Sequence, residues 1–285
     1  VNGFQSARTF ALLGPGRAGT SVALLLVQRG WRAVGVAGRA PDAPTTRAAS
    51  ARLGAPVKKA HEVGRDAALV VVATPDSAIE DAAAAVAPSL EPGALVVHLS
   101  GACTLDALAP VMQLRPDCAV GSLHPLQTVP STEAGVARLP GSWAAVAGSP
   151  DVTALAEELG LHPFRVDDAD RALYHAAAAI ASNHVVALLG QVERLAAAAG
   201  VPFEAFIPLA RTSLDNAADL GPGRALTGPV ARGDLVTVAR HLDALPASER
   251  AAYGTLAELA RRLSRRDDGD LRRLLAATTD TGGEA

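Results

Sequence analysis

The chain has 285 residues, about twice an ordinary domain, so two domains or one large α/β unit are expected. With 49% hydrophobic and 19% charged residues it can bury a core and leaves little room for extended disorder. A net charge of -3, from 26 Lys+Arg against 29 Asp+Glu, excludes the basic excess of a nucleic-acid binder.

In chain order, short β-rich apolar runs alternate with Ala/Leu-rich helical runs from Thr9 to Val166, the pattern of a parallel sheet with helical crossovers. The predicted strands are Phe10–Leu13, Ala33–Ala37, Leu69–Ala73, Leu95–Leu99, Ala119–Leu123, Trp143–Ala147 and Pro163–Val166. Beyond Asp168 only helical patterns follow, broken at Gly200-Val201-Pro202, Gly221-Pro222-Gly223, Gly233 and Pro246. The fold class is therefore an α/β Rossmann-like parallel sheet, residues 1–167, followed by an all-α domain, residues 168–285, with a polar tail from Thr278 to Ala285. The acidic run Asp167-Asp168-Ala169-Asp170 supplies N-cap candidates for a helix of about thirty residues.

The apolar stretch Ala176–Gly190 is interrupted by Ser182, Asn183 and His184, so it reads as a core helix and not a membrane span. The start, Val1 to Arg8, lacks the pattern of a secretory leader, and the isolated Cys103 and Cys118 suit a reducing cytoplasm. Scattered histidines, without HxxxH or a carboxylate cluster, argue for no metal site.

Gly14-Pro15-Gly16-Arg17-Ala18-Gly19 gives GxGxxG between the first strand and the first helix, the setting in which backbone amides cradle a pyrophosphate. A tight turn of another α/β fold would use the same glycines. No acidic residue precedes Asp42, and the second strand runs instead into Gly38-Arg39. A guanidinium there favours a 2′-phosphate and hence NADP; Arg39 is otherwise a solvated loop residue, and Arg47 can share its role. The turns Thr74-Pro75-Asp76-Ser77 and Ser100-Gly101 follow the next two strands and should flank the cofactor, with Asp76 and Ser77 equally suited to helix capping.

His124 ends a further strand, where it either faces substrate or bonds to backbone. Tyr174, His175, Ser182 and Asn183 mark a polar stripe on an alanine-rich helix, suited to a pocket or to satisfied core polars. At about 100° per residue Asn183 stands about 80° from His175. Thr227, Gly228 and Pro229 read as a helix start and Asp234 as a cap. Arg232 suits a substrate carboxylate or a subunit interface, with Thr212 and Asn216 as weaker candidates.

The order GPGRAG, ATPDS, HLSGA, GSLHPLQT, YHAAAAIASN, ALTGPVARGD resembles a bacterial two-domain family that joins a Rossmann-like domain to a helical domain of unknown function, over roughly residues 8–260. That family is similar in layout to pyrroline-5-carboxylate, ketopantoate and 6-phosphogluconate dehydrogenase-like reductases. The resemblance implies an NADP-dependent reductase of a small 2-oxo acid, in particular ketopantoate for pantothenate synthesis, and a homodimer formed through the helical domain. It carries cofactor roles to Gly14, Gly16 and Gly19 and marks His124, Tyr174, His175, Asn183, Thr227, Gly228, Pro229, Arg232 and Asp234 as motif positions. Familiar ketopantoate reductases place a lysine on this helix as proton donor, whereas here the only lysines are Lys58 and Lys59, in the cofactor domain. His175, His124 or Tyr174 must then supply the proton. The alternatives are a cyclic imine reductase, which needs no strong acid, and a non-catalytic NADP-binding sensor or scaffold.

Overall fold

The computed structural model describes residues 8–265 and 269–279. Most of the stretch read for a leader, and residues 280–285 of the predicted tail, lie outside the described residues. The chain divides into two compact units, Val1–Asn183 and His184–Ala285.

All seven predicted strands form, within a residue or two of the expected ends: β1 (Thr9–Leu13), β2 (Arg32–Ala37), β3 (Leu69–Val72), β4 (Leu95–His98), β5 (Ala119–Pro125), β6 (Trp143–Gly148) and β7 (His162–Arg165). They make one sheet in the order β2-β1-β3-β4-β5-β6-β7. Strands β1 to β4 are buried throughout apart from the ends, as expected of a sheet with helices on both faces, and their valines and leucines divide between the two core layers. Beside β2, a lone parallel bridge from Val36 to Val57 stands where a doubly wound sheet has its outer strand. With that bridge counted, the order is that of a dinucleotide-binding fold, with its switch point between β1 and β3.

One expectation needs correction. The sheet is not wholly parallel: β6 pairs antiparallel to β5, from Gly121↔Gly148 to Pro125↔Ala144, and β7 runs parallel to β6. The physical cause lies in the connection. Helix α5 (Thr132–Arg138) packs against α1 (Arg17–Gln28) so closely that a Cβ on Gly135 would fall 2.1 Å from Ser21 Oγ. The chain is thus turned back at the carboxyl end of β5 without the full crossover that a parallel neighbour requires.

The other helices of the first unit are α2 (Pro44–Leu53), α3 (Ile79–Val86), α4 (Ala109–Leu114), α6 (Pro150–Glu158) and α7 (Arg171–Ala179). After a π turn at Ile180–His184, the second unit contains α8 (Val185–Ala198), α9 (Ile207–Leu220), α10 (Pro222–Ala225), α11 (Pro229–Arg232), α12 (Leu235–Ala244), α13 (Ala247–Ser264) and α14 (Gly269–Thr279).

The reading of Ala176–Gly190 as a core helix is also corrected. The continuous helix Asp168–Ala198 has a window of mean hydropathy 1.4, long and apolar enough to cross a membrane, and none of that window is buried. Leu173 is 75% and Val186 68% exposed, whereas the helix is anchored near its start by buried Arg171 and near its end by buried Gln191 and Ala196.

Candidate functional site

The glycine turn is built as its spacing requires. Gly14 has φ +86°, and a Cβ there would lie 2.5 Å from the backbone of Ala73 and Thr74. A Cβ on Gly19 would meet Ala73 Cβ at 2.6 Å and the Gly14 carbonyl at 2.7 Å, so this glycine lets α1 sit against the strands. Gly16 differs: a Cβ there meets nothing within 4 Å, which leaves open space in front of the helix start. Gly16 occupies the N-cap position of α1 with no side-chain cap, and no acidic residue stands in the first turn, so the amides there are free for an anion. Gly16, Arg17 and Ala18 are exposed while Pro15 is buried; Arg17 Nη1 donates to the Pro130 carbonyl at 3.1 Å.

Arg39 beyond the β2 tip and Arg47 on α2 are exposed, and neither side chain has a hydrogen bond or ion pair among the described residues. Between them Thr46 is fully buried near Gly38, and its Oγ1 has no partner. At the β3 tip the Thr74 hydroxyl is likewise buried and unpartnered, while Asp76 and Ser77 are exposed within a short turn whose N-cap is Pro75, so neither serves as the cap. At the β4 tip Ser100 Oγ accepts from the amides of Ala102 at 3.1 Å and Cys103 at 3.0 Å, and so shapes the turn that presents Gly101.

Gly101 abuts two histidines. A Cβ there would lie 2.7 Å from His124 Cε1 and 2.8 Å from His175 Cδ2, so only glycine fits between the strand tips and the two rings. The ring centroids of His124 and His175 are 5.9 Å apart, and His124 Nδ1 is hydrogen-bonded to Tyr174 Oη at 2.7 Å. Burial, followed by the charges of His175 and Arg171, pushes the His124 pKa down to about 4, so its imidazole is neutral near pH 7. Burial raises Tyr174 to about 12, so its phenol keeps its proton.

Sequence reasoning missed the residue that brings these groups together. Arg171 is fully buried and holds α7 on the sheet: Nη1 donates to the Ser100 carbonyl at 3.3 Å, Nη2 to Ser122 Oγ, and Nε to Asp168 Oδ1 at 3.1 Å. Asp168 Oδ2 in turn accepts from the Leu105 amide at 3.1 Å. His98, also unforeseen, is fully buried at the end of β4; desolvation and then Arg171 depress its pKa to about 4. The usable signal was Arg171 itself, a cation between an acidic N-terminal turn and an alanine-rich helix.

A cleft of about 280 Å³ opens beside the two histidines, lined by His124, Leu126, Gln127, Thr128, His175, Ala178, Ala179, Ala181, Ser182 and Asn183. The predicted stripe is therefore brought together, and more completely than a regular helix allows. The i→i+5 turn at Ile180–His184 lags the ordinary rotation and carries Asn183 back towards the His175 side. Ser182 Oγ donates to the Ala178 carbonyl at 2.7 Å and contacts Asn183 Oδ1 at 3.2 Å. Among the described residues, no ionisable side chain other than the two histidines lines this cleft.

Thr227, Gly228 and Arg232 lie in the second unit. Gly228, at φ +95°, is the N-cap of α11 with Pro229 in its first turn, and Arg232 is exposed. Asp234 caps α12 through the Thr237 amide at 3.0 Å, a structural duty. Thr212 and Asn216 are exposed on α9.

Residues 2–125 match a Rossmann-like domain and residues 144–260 a domain of unknown function (DUF2520). Among solved structures, a Bacteroides fragilis protein provisionally assigned as an NADP oxidoreductase is similar, with 24% identity, TM-score 0.75, and coverage of 90% of this chain and 98% of that one. A Thermotoga maritima protein matches with 22% identity, TM-score 0.71, and coverage of 90% and 100%. A pyrroline-5-carboxylate reductase from Coxiella burnetii matches with 15% identity, TM-score 0.55, and coverage of 95% and 96%. No curated protein sequence matches.

Proposed function

We infer that this chain, a Rossmann-like domain joined to a DUF2520 domain, is an NADP-dependent reductase of a small carbonyl compound. The observation that carries the reading is Gly101, wedged against His124 and His175 on the sheet edge that also bears the glycine turn. From β1 to β5 that edge spans three strand intervals, roughly 14 Å at the usual spacing. A dinucleotide laid across the switch point runs along this edge.

The residues present fit the cofactor. The open space before Gly16 and the free amides of α1 suit its pyrophosphate, the unpartnered Thr74 hydroxyl lies at the next strand tip, and the free guanidinium groups of Arg39 and Arg47 suit a 2′-phosphate. Bound there, NADPH supplies hydride to the substrate carbon. The protein's own part is to orient and to donate: Asn183, Ser182, Gln127 and Thr128 offer neutral hydrogen bonds in the cleft, and His124 and His175 present ring N–H groups to the oxygen that gains charge.

Within this reading the substrate is a 2-oxo acid, ketopantoate in the first instance. A second reading, cyclic imine reduction, is favoured by the absence of a cationic side chain among the cleft-lining residues, since a carboxylate finds no counter-charge in them. The exposed leucines of α9, Leu209, Leu214 and Leu220, support assembly as a homodimer through the helical unit. The test is NADPH consumption against 2-oxo acids and cyclic imines, coupled to growth rescue of a pantothenate auxotroph lacking ketopantoate reductase. Consumption with a 2-oxo acid and rescue are expected. Consumption with imines alone selects the second reading; tight NADPH binding without turnover points to a sensor, and no NADPH binding ends the assignment.

A further inference from the structure

We propose that Tyr174 relays protons from a second, outer cleft to Nδ1 of His124, so that His124 donates to substrate from Nε2 and is resupplied from behind. This rests on the reductase reading, which leaves the source of the proton open.

Helix α7 and the turn after it form a wall with a different cleft on each side. Asp170, Leu173, Tyr174 and Ala177, spaced i, i+3, i+4 and i+7, line an outer cleft of about 600 Å³ together with residues 164–167. His175, Ala178, Ala179 and Ser182 repeat the same spacing five residues later and line the inner cleft. Tyr174 belongs to the outer set and His124 to the inner, and the 2.7 Å Oη–Nδ1 bond joins them through the wall. With Nδ1 engaged, Nε2 is the ring nitrogen left to serve the inner cleft.

A relay answers a chemical problem in this site. A neutral imidazole is a weak acid on its own, because losing a proton would leave an imidazolate, and His124 is held neutral by its burial beside His175 and Arg171, with Asp76 opposing. If Nδ1 gains a proton as Nε2 gives one up, the ring never becomes anionic. Bound NADPH would supply hydride to the carbonyl carbon, and as the substrate oxygen gains charge its O–H bond forms while the Nε2–H bond of His124 breaks. The Tyr174 O–H breaks towards Nδ1, and water in the outer cleft restores the phenol. One proton is taken from solvent, and the imidazole stays neutral in its other tautomer. After product leaves, water entering the inner cleft reprotonates Nε2 and the Nδ1 proton returns through Tyr174 to the outer cleft, which regains the proton it lent while substrate filled the inner cleft. Arg171 is the charge that faces Tyr174, and Arg165, Asp167 and Asp170 stand at the outer mouth. The acidic pair favours protons there.

The first measurement needs no activity. In ¹⁵N spectra of the ligand-free protein at pH 7, the ring proton of His124 is expected on Nε2 with Nδ1 as acceptor; a ring protonated on Nδ1 overturns the relay whether or not the protein is a reductase. The second uses NADPH with a carbonyl substrate and with a preformed iminium, which needs no proton. Tyr174→Phe should lower carbonyl kcat by about 100-fold while iminium kcat and NADPH affinity stay within about twofold. Equal loss on both substrates, or an unchanged carbonyl rate, overturns the proposal. Ala177→Phe adds bulk to the outer cleft and should slow carbonyl reduction alone; an unaffected rate removes that cleft as the entrance. A wild-type protein that oxidises NADPH with neither substrate ends the reductase reading, and the ¹⁵N result still decides the hydrogen-bond direction on which the relay depends.

Discussion

The sheet and helix α9 handle their leucines in opposite ways. Leu12, Leu69, Leu95 and Leu123 are fully enclosed between the sheet and its helices, whereas α9 buries none of its 14 residues and leaves Leu209 65% exposed. Both units have a core of their own, that of the second built on Val230, Val238, Leu242, Ala257, Leu271 and Leu275, but α9 presents apolar surface that would gain stability if covered.

The largest expected effect lies at the joint that fixes α7 to the sheet. Arg171→Met strips the Ser100 carbonyl, Ser122 and Asp168 of a buried partner and should cost about 4 kcal/mol in chemical denaturation. A loss below about 1 kcal/mol would show that α7 is held by other means. Next, Leu12→Ala should cost about 3 kcal/mol at every protein concentration. Leu209→Ala should stay within about 0.5 kcal/mol at high dilution and cost more as concentration rises. Identical behaviour at the two sites would erase the contrast between the sheet and α9.

Acid should act on the sheet unit through His98. Its folded pKa, about 4, lies below the unfolded value of 6.5, so the unfolded chain takes up the proton first. Stability is full above pH 6.5 and falls as pH drops towards about 4, by about 3 kcal/mol in all. His124 adds a change of the same sign, and His98→Gln should flatten the pH dependence of Tm. Smallest in stability is Gly16→Ala, within about 0.5 kcal/mol because the new methyl meets open space, yet it should weaken NADPH binding about tenfold. Gly14→Ala, with backbone 2.5 Å away and φ +86°, should destabilise the fold outright.

Much of the sheet was legible because each strand is a short apolar run flanked by turn residues, and burial on both faces demands that pattern. Strand direction was not, since an apolar run reads alike both ways; the reversal at β6 goes with the packing of Gly135 against Ser21, a contact between distant segments. The glycine turn was legible because local backbone geometry requires glycine there. Arg171 and His98 were hidden because a charged or titratable residue at the edge of an apolar run looks solvated until the fold encloses it. The stripe of His175 and Ser182 followed from helical periodicity, but the place of Asn183 depends on the π turn, which no residue spacing announces.

That wide turn has a consequence for how the chain tolerates change. Removing one alanine upstream of it would swing every later side chain by about 100° and trade the Asn183 amide for a neighbour of different chemistry at the cleft wall. The surplus residue thus works as a phase setting. Point substitutions along this helix should be absorbed far more readily than any change in the number of residues between His175 and Asn183.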